Sequence, residues 1–370
     1  MKIILVGGGS GGHVLPLIAV QEQLEMLNPG NKFFVITDKI DDNVQKQFLA
    51  KTKFHNIKAG KFRRFAHWQW WQYFYPARFK FYLMNALDLF KIIFGICQSW
   101  MIIGKIKPDV IFAKGGYVSL PVGLVAKWRN IPLVLHDSDT RPGIANKLIA
   151  PSALFIASGL PSNDRTRIFT GVPIREEFYK LTPVAAKKQL SVSSDKKILL
   201  ITGGSLGAKR INEVVTKILD KLTKKFVIFH ISGARDYEQL KAYSNKYPHY
   251  KVFDFVGKEY PVLVCAADFV IGRAGATTIA EFAAAKKPAI FIPNTFLTDQ
   301  VSNAKWLKSK NAGVIMDENK LIQDPGDLTR TLLELANTAA RREELSQSIS
   351  KLAKRSAATD VAQLIIKAAQ

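Results

Sequence analysis

Cysteine is scarce in this chain: its 370 residues hold two, Cys97 and Cys265, far apart and outside any CxxC or Cys/His cluster. That excludes a disulfide framework and a cysteine-built zinc site, and it fits a reducing compartment with both thiols as packing groups. Long hydrophobic runs are also missing. The N-terminus offers only "IILV" ahead of its glycines, whereas a secretory signal needs an apolar stretch of about 7–15 residues, so no export signal is expected. The longest uncharged apolar stretch, "IIFGICQSWMIIG" from Ile92 to Gly104, falls short of the ~18 residues of a spanning helix. No bilayer crossing is expected. Acidic residues are few: 30 Asp and Glu stand against 53 Lys and Arg, a formal net charge of +23, so an acidic partner is expected, whether nucleic acid, anionic lipid or phosphorylated substrate.

What is present is globular material, 48% hydrophobic and 22% charged, with enough length for two cores. Short β-branched runs ("IILV", "FFVIT", "DVIFA", "PLVLHD", then "ILLIT", "FVIFHIS", "DFVIG", "PAIFIP") alternate with longer periodic segments, the signature of parallel sheets covered by helices. The fold class is therefore α/β, with two doubly wound, Rossmann-like domains. Gly171 and Pro173 interrupt the pattern in "FTGVPIREEFY", which puts the first domain at 1–172 and the second at 173–349. A C-terminal helix over about 350–370 is expected to pack back onto the first. Ligands of open α/β sheets bind beyond the carboxyl ends of the strands, so both domains are expected to turn their glycine loops toward one cleft.

Those loops carry the first chemistry. "VGGGSGGHVLP" satisfies G-x-G-x-x-G through Gly7, Gly9 and Gly12, and Asp38 follows the second strand, so a dinucleotide-dependent oxidoreductase is one reading. The bulky, titratable His13 at the helix entry speaks against it. Glycines bring backbone N–H groups close to an anion at a helix N-terminus, and a first-turn histidine then stands beside that anion, able to bind it or to take a proton. "LLITGGSLGAKRIN" repeats the design, with Ser205 placed to donate to a phosphate and with Lys209 and Arg210 opposing the helix dipole, which points to an anion nearby. In "GRAGATTIAEFAAAKKP" a helix opening at Ala276, Thr277 and Thr278 carries Glu281, whose carboxylate suits a ribose diol. "NTFLTDQVSNA" sets Asp299, Gln300 and Asn303 at a strand's carboxyl end, donors and acceptors suited to sugar hydroxyls.

Seven motifs then occur in order: "GGSGGHVLP", "KGGYVSLP" (Lys114 to Pro121), "HDSDTRPGIANK" (His136 to Lys147), "GVPIREE", "GGSLGAKRIN", "RAGATTIAE" and "DQVSNA". From about Lys2 to beyond Ala304 the chain resembles the MurG family, GT-B glycosyltransferases that move N-acetylglucosamine from UDP-GlcNAc to lipid I and so complete lipid II for peptidoglycan. The resemblance implies an inverting transferase, peripheral on the cytoplasmic side of the cell membrane, with no cofactor and no obligatory metal. It implies a UDP-GlcNAc site at Ser10, Gly11, Gly12, Asp139, Arg175, Ser205, Val256, Ala276, Thr277, Thr278, Ile279, Ala280, Glu281 and Gln300. It implies an acceptor loop at Gly115, Gly116, Tyr117 and Ser119, with His13 and Asp137 as the candidate catalytic pair. His13 is favoured as base because imidazole titrates near neutrality.

Three departures mark this chain within the resemblance. Asp137 and Asp139 stand where many members have Glu and an amide, and Asp299 replaces a Gln or His. The "DSD" they form mimics a metal-binding Asp-x-Asp, a reading the GT-B resemblance opposes. From Lys58 to Lys107 nine basic residues face the single acid Asp88, and "FRRFAHWQWWQYFYPARFKFYL" interleaves Arg63, Arg64, Arg78 and Lys80 with Trp68, Trp70, Trp71 and Phe79. Docking on an anionic membrane surface is expected of this segment, ahead of core packing and of single-stranded nucleic acid. A GT-B transferase with another UDP-sugar or lipid acceptor is the alternative to UDP-GlcNAc and lipid I.

Overall fold

The structure is a computed structural model that describes every residue except Ser10, Ile40, Asp41, residues 62–78, Asn163, Ser205 and Leu206, and only the backbone of residues 79–82. Contacts divide the chain into one unit of residues 1–173 with 356–370 and another of residues 174–355.

In the first unit the strands are β1 (Lys2–Val6), β2 (Lys32–Thr37), β3 (Lys53–Asn56), β4 (Val110–Ala113), β5 (Leu133–Asp137), β6 (Phe155–Ser158) and β7 (Arg167–Phe169). The helices are α1 (Gly11–Leu27), α2 (Asp42–Gln45), α3 (Phe79–Ile106), α4 (Ser119–Trp128) and α5 (Ile144–Ile149). The sheet runs β3-β2-β1-β4-β5-β6-β7, parallel throughout. Its strands are apolar on both faces because helices cover both; β1, β4 and β5 are almost wholly buried. β1 lies between β2 and β4, with Val6 in register with Ile36 and Ala113, so the chain order reverses there and a crevice opens at the strand ends.

The second unit contains α6 (Glu177–Lys180), α7 (Pro183–Gln189), β8 (Ile198–Thr202), α8 (Lys209–Thr223), β9 (Val227–Ile231), α9 (Tyr237–Lys246), β10 (Tyr250–Phe253), α10 (Tyr260–Ala266), β11 (Phe269–Gly272) and α11 (Ala276–Ala284). It continues with β12 (Ala289–Phe291), α12 (Thr298–Ser309), β13 (Val314–Ile315), α13 (Glu318–Gln323), α14 (Gly326–Asn337) and α15 (Ala339–Ser350). Its parallel sheet runs β10-β9-β8-β11-β12-β13, with the equivalent reversal between β8 and β11. α8 packs its apolar stripe of Ile211, Val214, Val215, Ile218, Leu219 and Leu222 into the core. The last helix, α16 (Ala357–Ala368), belongs to the first unit and lies on α1 and on β4, β5 and β6.

Helix α3 departs from the expectation drawn from uncharged runs. By length and apolar composition its stretch Leu83–Ile106 suffices to cross a bilayer, and only 28% of the most apolar 18-residue window in it is buried within the protein. Counting uncharged residues missed it because Asp88 and Lys91 interrupt the run; Asp88 is 2% exposed and its Oδ1 accepts from Lys91 Nζ at 2.9 Å. One stripe, Asp88, Ile92, Gly95, Ser99, Ile103 and Ile106, is buried, and α3 packs against α4. The opposite face exposes Leu83, Leu87, Phe90, Phe94 and Met101 at helical spacing. The basic and aromatic residues from Arg63 to Arg78 lie outside the described residues, as do the side chains of Phe79 and Lys80.

Val361 and Ile365 of α16 are fully buried. Ile365→Ala is expected to cost about 2–5 kcal/mol of unfolding free energy through lost burial and a residual cavity, read from denaturant unfolding of the whole chain. A change below ~0.5 kcal/mol would show that α16 does not close this core.

Candidate active site

At the reversal point of the first sheet, β1 ends at Val6, the loop Gly7 to Gly9 turns, and α1 starts at Gly11 with His13 in its first turn. Beside it, β4 runs into Lys114 and the loop Gly115 to Val118. The two loops touch through atoms that leave no room for larger residues. A Cβ on Gly116, whose φ of +81° itself disfavours side chains, would stand 3.2 Å from His13 Cδ2 and 3.0 Å from the Gly8 carbonyl. Asp38, which supported the oxidoreductase reading, ties the loops together instead. Its Oδ1 accepts from Gly9 N–H at 3.0 Å and its Oδ2 from the Tyr117 hydroxyl. Burial, then the bond to Asp38, pushes the Tyr117 phenol well above its ordinary range, so it remains a donor. Ser119 Oγ donates to the Gly115 carbonyl at 2.9 Å and holds the loop from the other side.

Beneath this loop lies a buried polar cluster. Lys114, 1% exposed, donates through Nζ to Ser138 Oγ; burial pushes its ammonium down to about 8 despite Asp139 and Asp137 nearby. His136 is fully buried, with Nε2 2.9 Å from the Gly171 carbonyl, and burial followed by the Lys114 charge drives its pKa well below the ordinary value. It is a neutral structural imidazole. Asp137 is 3% exposed, ion-paired to Arg167, and accepts from Asn146 Nδ2 at 2.5 Å. These partners make Asp137 an anchor for the cluster. Asp139 lies half-buried just past the end of β5.

The second unit holds its own constellation. Ser205 lies outside the described residues; at Gly207, two positions on, φ is +71° and a Cβ would fall 2.1 Å from the Ser232 carbonyl. Glu281 sits in the second turn of α11, 6% exposed. Burial pushes its carboxyl up to about 8, opposed by the Arg175 charge and a hydrogen bond with Tyr260. Arg175, 7% exposed, donates from Nη2 to the Gly257 carbonyl at 3.3 Å, which brings it, Val256 and Glu281 into one region. Ala276 and Ile279 are buried, whereas Thr277, Thr278 and Ala280 are half-buried. Gln300 Oε1 accepts from Asn294 N–H at 2.9 Å, and the buried Asn303 donates to the Ala274 carbonyl at 3.0 Å, tying α12 to the entry of α11.

Both first-turn cations of α8 have carboxylates of the protein near them: Lys209 faces Glu213 at 3.8 Å, and Arg210 pairs with Glu318 at 3.1 Å. Glu318, Arg273 and Tyr260 were not legible as site residues, since no local motif marks them and their partners lie far away in sequence. Among the described residues no three His, Cys, Asp or Glu side chains gather as metal ligands would.

Two doubly wound parallel units, each carrying a glycine loop at its switch point, make up the GT-B architecture. Residues 3–157 match the glycosyltransferase family 28 N-terminal domain and residues 198–365 the family's C-terminal domain. The chain belongs to glycosyltransferase family 28. The UDP-N-acetylglucosamine–N-acetylmuramyl-(pentapeptide) pyrophosphoryl-undecaprenol N-acetylglucosamine transferase of Clostridium perfringens is 36% identical over 331 residues, 86% of each chain. That of Clostridium tetani is 35% identical over 330 residues, again 86% of each chain. The crystal structure of Acinetobacter baumannii MurG superposes with a TM-score of 0.70 at 24% identity, covering 99% of both chains, a likeness of fold.

The raised Glu281 carboxyl generates a test. A diol donating into this group favours its ionised form, so affinity for UDP, measured by calorimetry, is expected to rise with pH up to about 8 and level off above, by up to tenfold per unit. Glu281→Gln should flatten the profile. A wild-type profile already flat from pH 6 to 9 would remove Glu281 from contact with the nucleotide.

Proposed function

We propose that this chain transfers N-acetylglucosamine from UDP-GlcNAc to lipid I, forming lipid II with inversion at the anomeric carbon. The curated relatives carry that activity in their names, and the observation within the fold that supports it best is His13 set against Gly116 at a helix N-terminus. In this reading α1 and the Gly115–Ser119 loop take the acceptor's diphosphate, while the donor's uridine diphosphate lies with Ser205, Arg175, Val256, the run Ala276–Glu281 and Gln300. The acceptor hydroxyl attacks the anomeric carbon, its proton passes to His13, the bond to the UDP oxygen breaks, and UDP departs with the electron pair. Arg175 and the helix N-terminus of α8 offset the charge that develops on the leaving diphosphate.

The deciding experiment offers the protein each UDP-sugar with a lipid I analogue; the disaccharide lipid is expected from UDP-GlcNAc and not from UDP-glucose. His13→Ala is expected to lower kcat by roughly 10²–10⁴-fold with donor affinity nearly unchanged. A normal kcat with a raised acceptor KM would reduce His13 to a diphosphate contact.

The same reading places the enzyme at the cytoplasmic face of the membrane that holds its acceptor. The exposed face of α3 supports this, with Phe90 69% and Met101 65% exposed and with cations set over neighbouring rings, Lys58 over Phe94 at 5.2 Å and Arg129 over Trp100 at 4.0 Å. Its buried stripe stays engaged with the first unit, which favours lying in the interface over crossing it. Phe90→Ser with Phe94→Ser and Met101→Ser is expected to weaken binding to anionic vesicles on the order of tenfold per side chain, with turnover of a water-soluble acceptor retained. Unchanged vesicle binding would move the docking surface elsewhere.

A further inference from the structure

Glu318 opens α13 in the second unit and is 2% exposed, a buried carboxylate with two guanidinium partners. Its Oε1 lies 2.5 Å from Arg273 Nη2 and its Oε2 3.1 Å from Arg210 Nη1. Arg273 follows β11 and leads into α11; its second terminal nitrogen, Nη1, donates to the Ile292 carbonyl just past β12 at 2.9 Å. Arg210 lies in the first turn of α8, directly after the glycine loop, where Asn319 Oδ1 also accepts from it at 3.1 Å and its guanidinium covers the Phe296 ring at 5.3 Å. One carboxylate therefore joins four segments that emerge at the carboxyl edge of the sheet: the start of α8, the loop between β11 and α11, the end of β12 and the start of α13.

This arrangement suits a bidentate group and suits little else. A guanidinium can bond a carboxylate and a carbonyl at once in a fixed plane, which an ammonium cannot. Asn303, donating to Ala274 one residue after Arg273, braces the same loop from α12. Because the segments so joined follow Ser205 in the chain and lead into α11 with Ala276–Glu281 and toward Gln300 on α12, their relative placement governs how well one nucleotide sugar can meet all of them.

We propose that Glu318 is a positioning residue for the donor: through Arg210 and Arg273 it holds the glycine-loop helix and the entry of α11 in the arrangement that accepts UDP-GlcNAc. Glu318 itself does not touch substrate. The inference rests on the donor reading given above and adds to it a residue remote from any contact.

The test uses the full chain and two readouts, calorimetric binding of UDP and steady-state kinetics with UDP-GlcNAc and a lipid I analogue. Glu318→Gln is expected to raise the Kd for UDP and the KM for UDP-GlcNAc about tenfold, since a shift of about 1 Å in binding groups can cost up to ~10²-fold. The kcat at saturating donor and the acceptor KM should stay within about twofold. Arg273→Lys retains the charge but loses the second bond, so it should reproduce the donor defect and decides the matter if Glu318→Gln does not fold. Arg210→Lys should be milder, its side chain being 37% exposed. Unchanged or tighter UDP binding in folded Glu318→Gln or Arg273→Lys overturns the inference while leaving the donor reading intact. A wild-type chain that binds no UDP brings down that reading and this inference together.

Discussion

Parallel pairing of β1 with β4 and of β8 with β11 is the constraint from which the rest follows. At each of these pairs the chain has turned back on its own order, so the connecting helices depart to opposite faces and the loops at the strand ends separate. Glycine loops stand at these strand ends because a helix must start there within a few residues of the strand, and only residues without a Cβ allow backbone to pass so close to Ser232 in one unit and to His13 in the other. The proposed anion sites at both loops would then follow from the topology, with the side chains around them choosing the ligand.

Those side chains are costly to keep where they are. Lys114, Asp137, His136, Glu281 and Glu318 are all buried, and each is held by partners that the fold delivers from another strand or helix. Removing one member of such a set leaves a buried donor or charge unmatched, which is far worse than never having had it. The charged residues beneath the Gly115–Ser119 loop keep that loop's backbone in place, and the loop in turn seats the His13 ring. On the other unit burial raises the Glu281 carboxyl to about 8, against the pull of the Arg175 charge and the Tyr260 hydrogen bond.

Much of this was legible in the sequence, because the information is local. The two sheets follow from alternating apolar runs, the loops from "GGGSGGH" and "GGSLG", and the helix carrying Glu281 from "GATTIAE". What was not legible is pairing between residues remote in sequence. Asp38 supported a dinucleotide reading and is the clasp between Gly9 and Tyr117; Arg210 pointed to an anion nearby, and the carboxylate it pairs with is that of Glu318, 108 residues away. Helix α3 read as too short in its uncharged core, because a buried Asp88 answered by Lys91 does not end a helix. Composition marks the basic surplus but cannot say which cations the protein has already neutralised.

One diphosphate at each glycine loop is the central proposal, and hydrogen exchange of backbone amides tests it most directly. UDP is expected to slow exchange across residues 203–209 and 273–281 and to leave residues 7–13 and 114–119 unchanged. A water-soluble lipid I analogue is expected to do the reverse. Protection of residues 7–13 by UDP alone, with residues 203–209 and 273–281 unaffected, would contradict it.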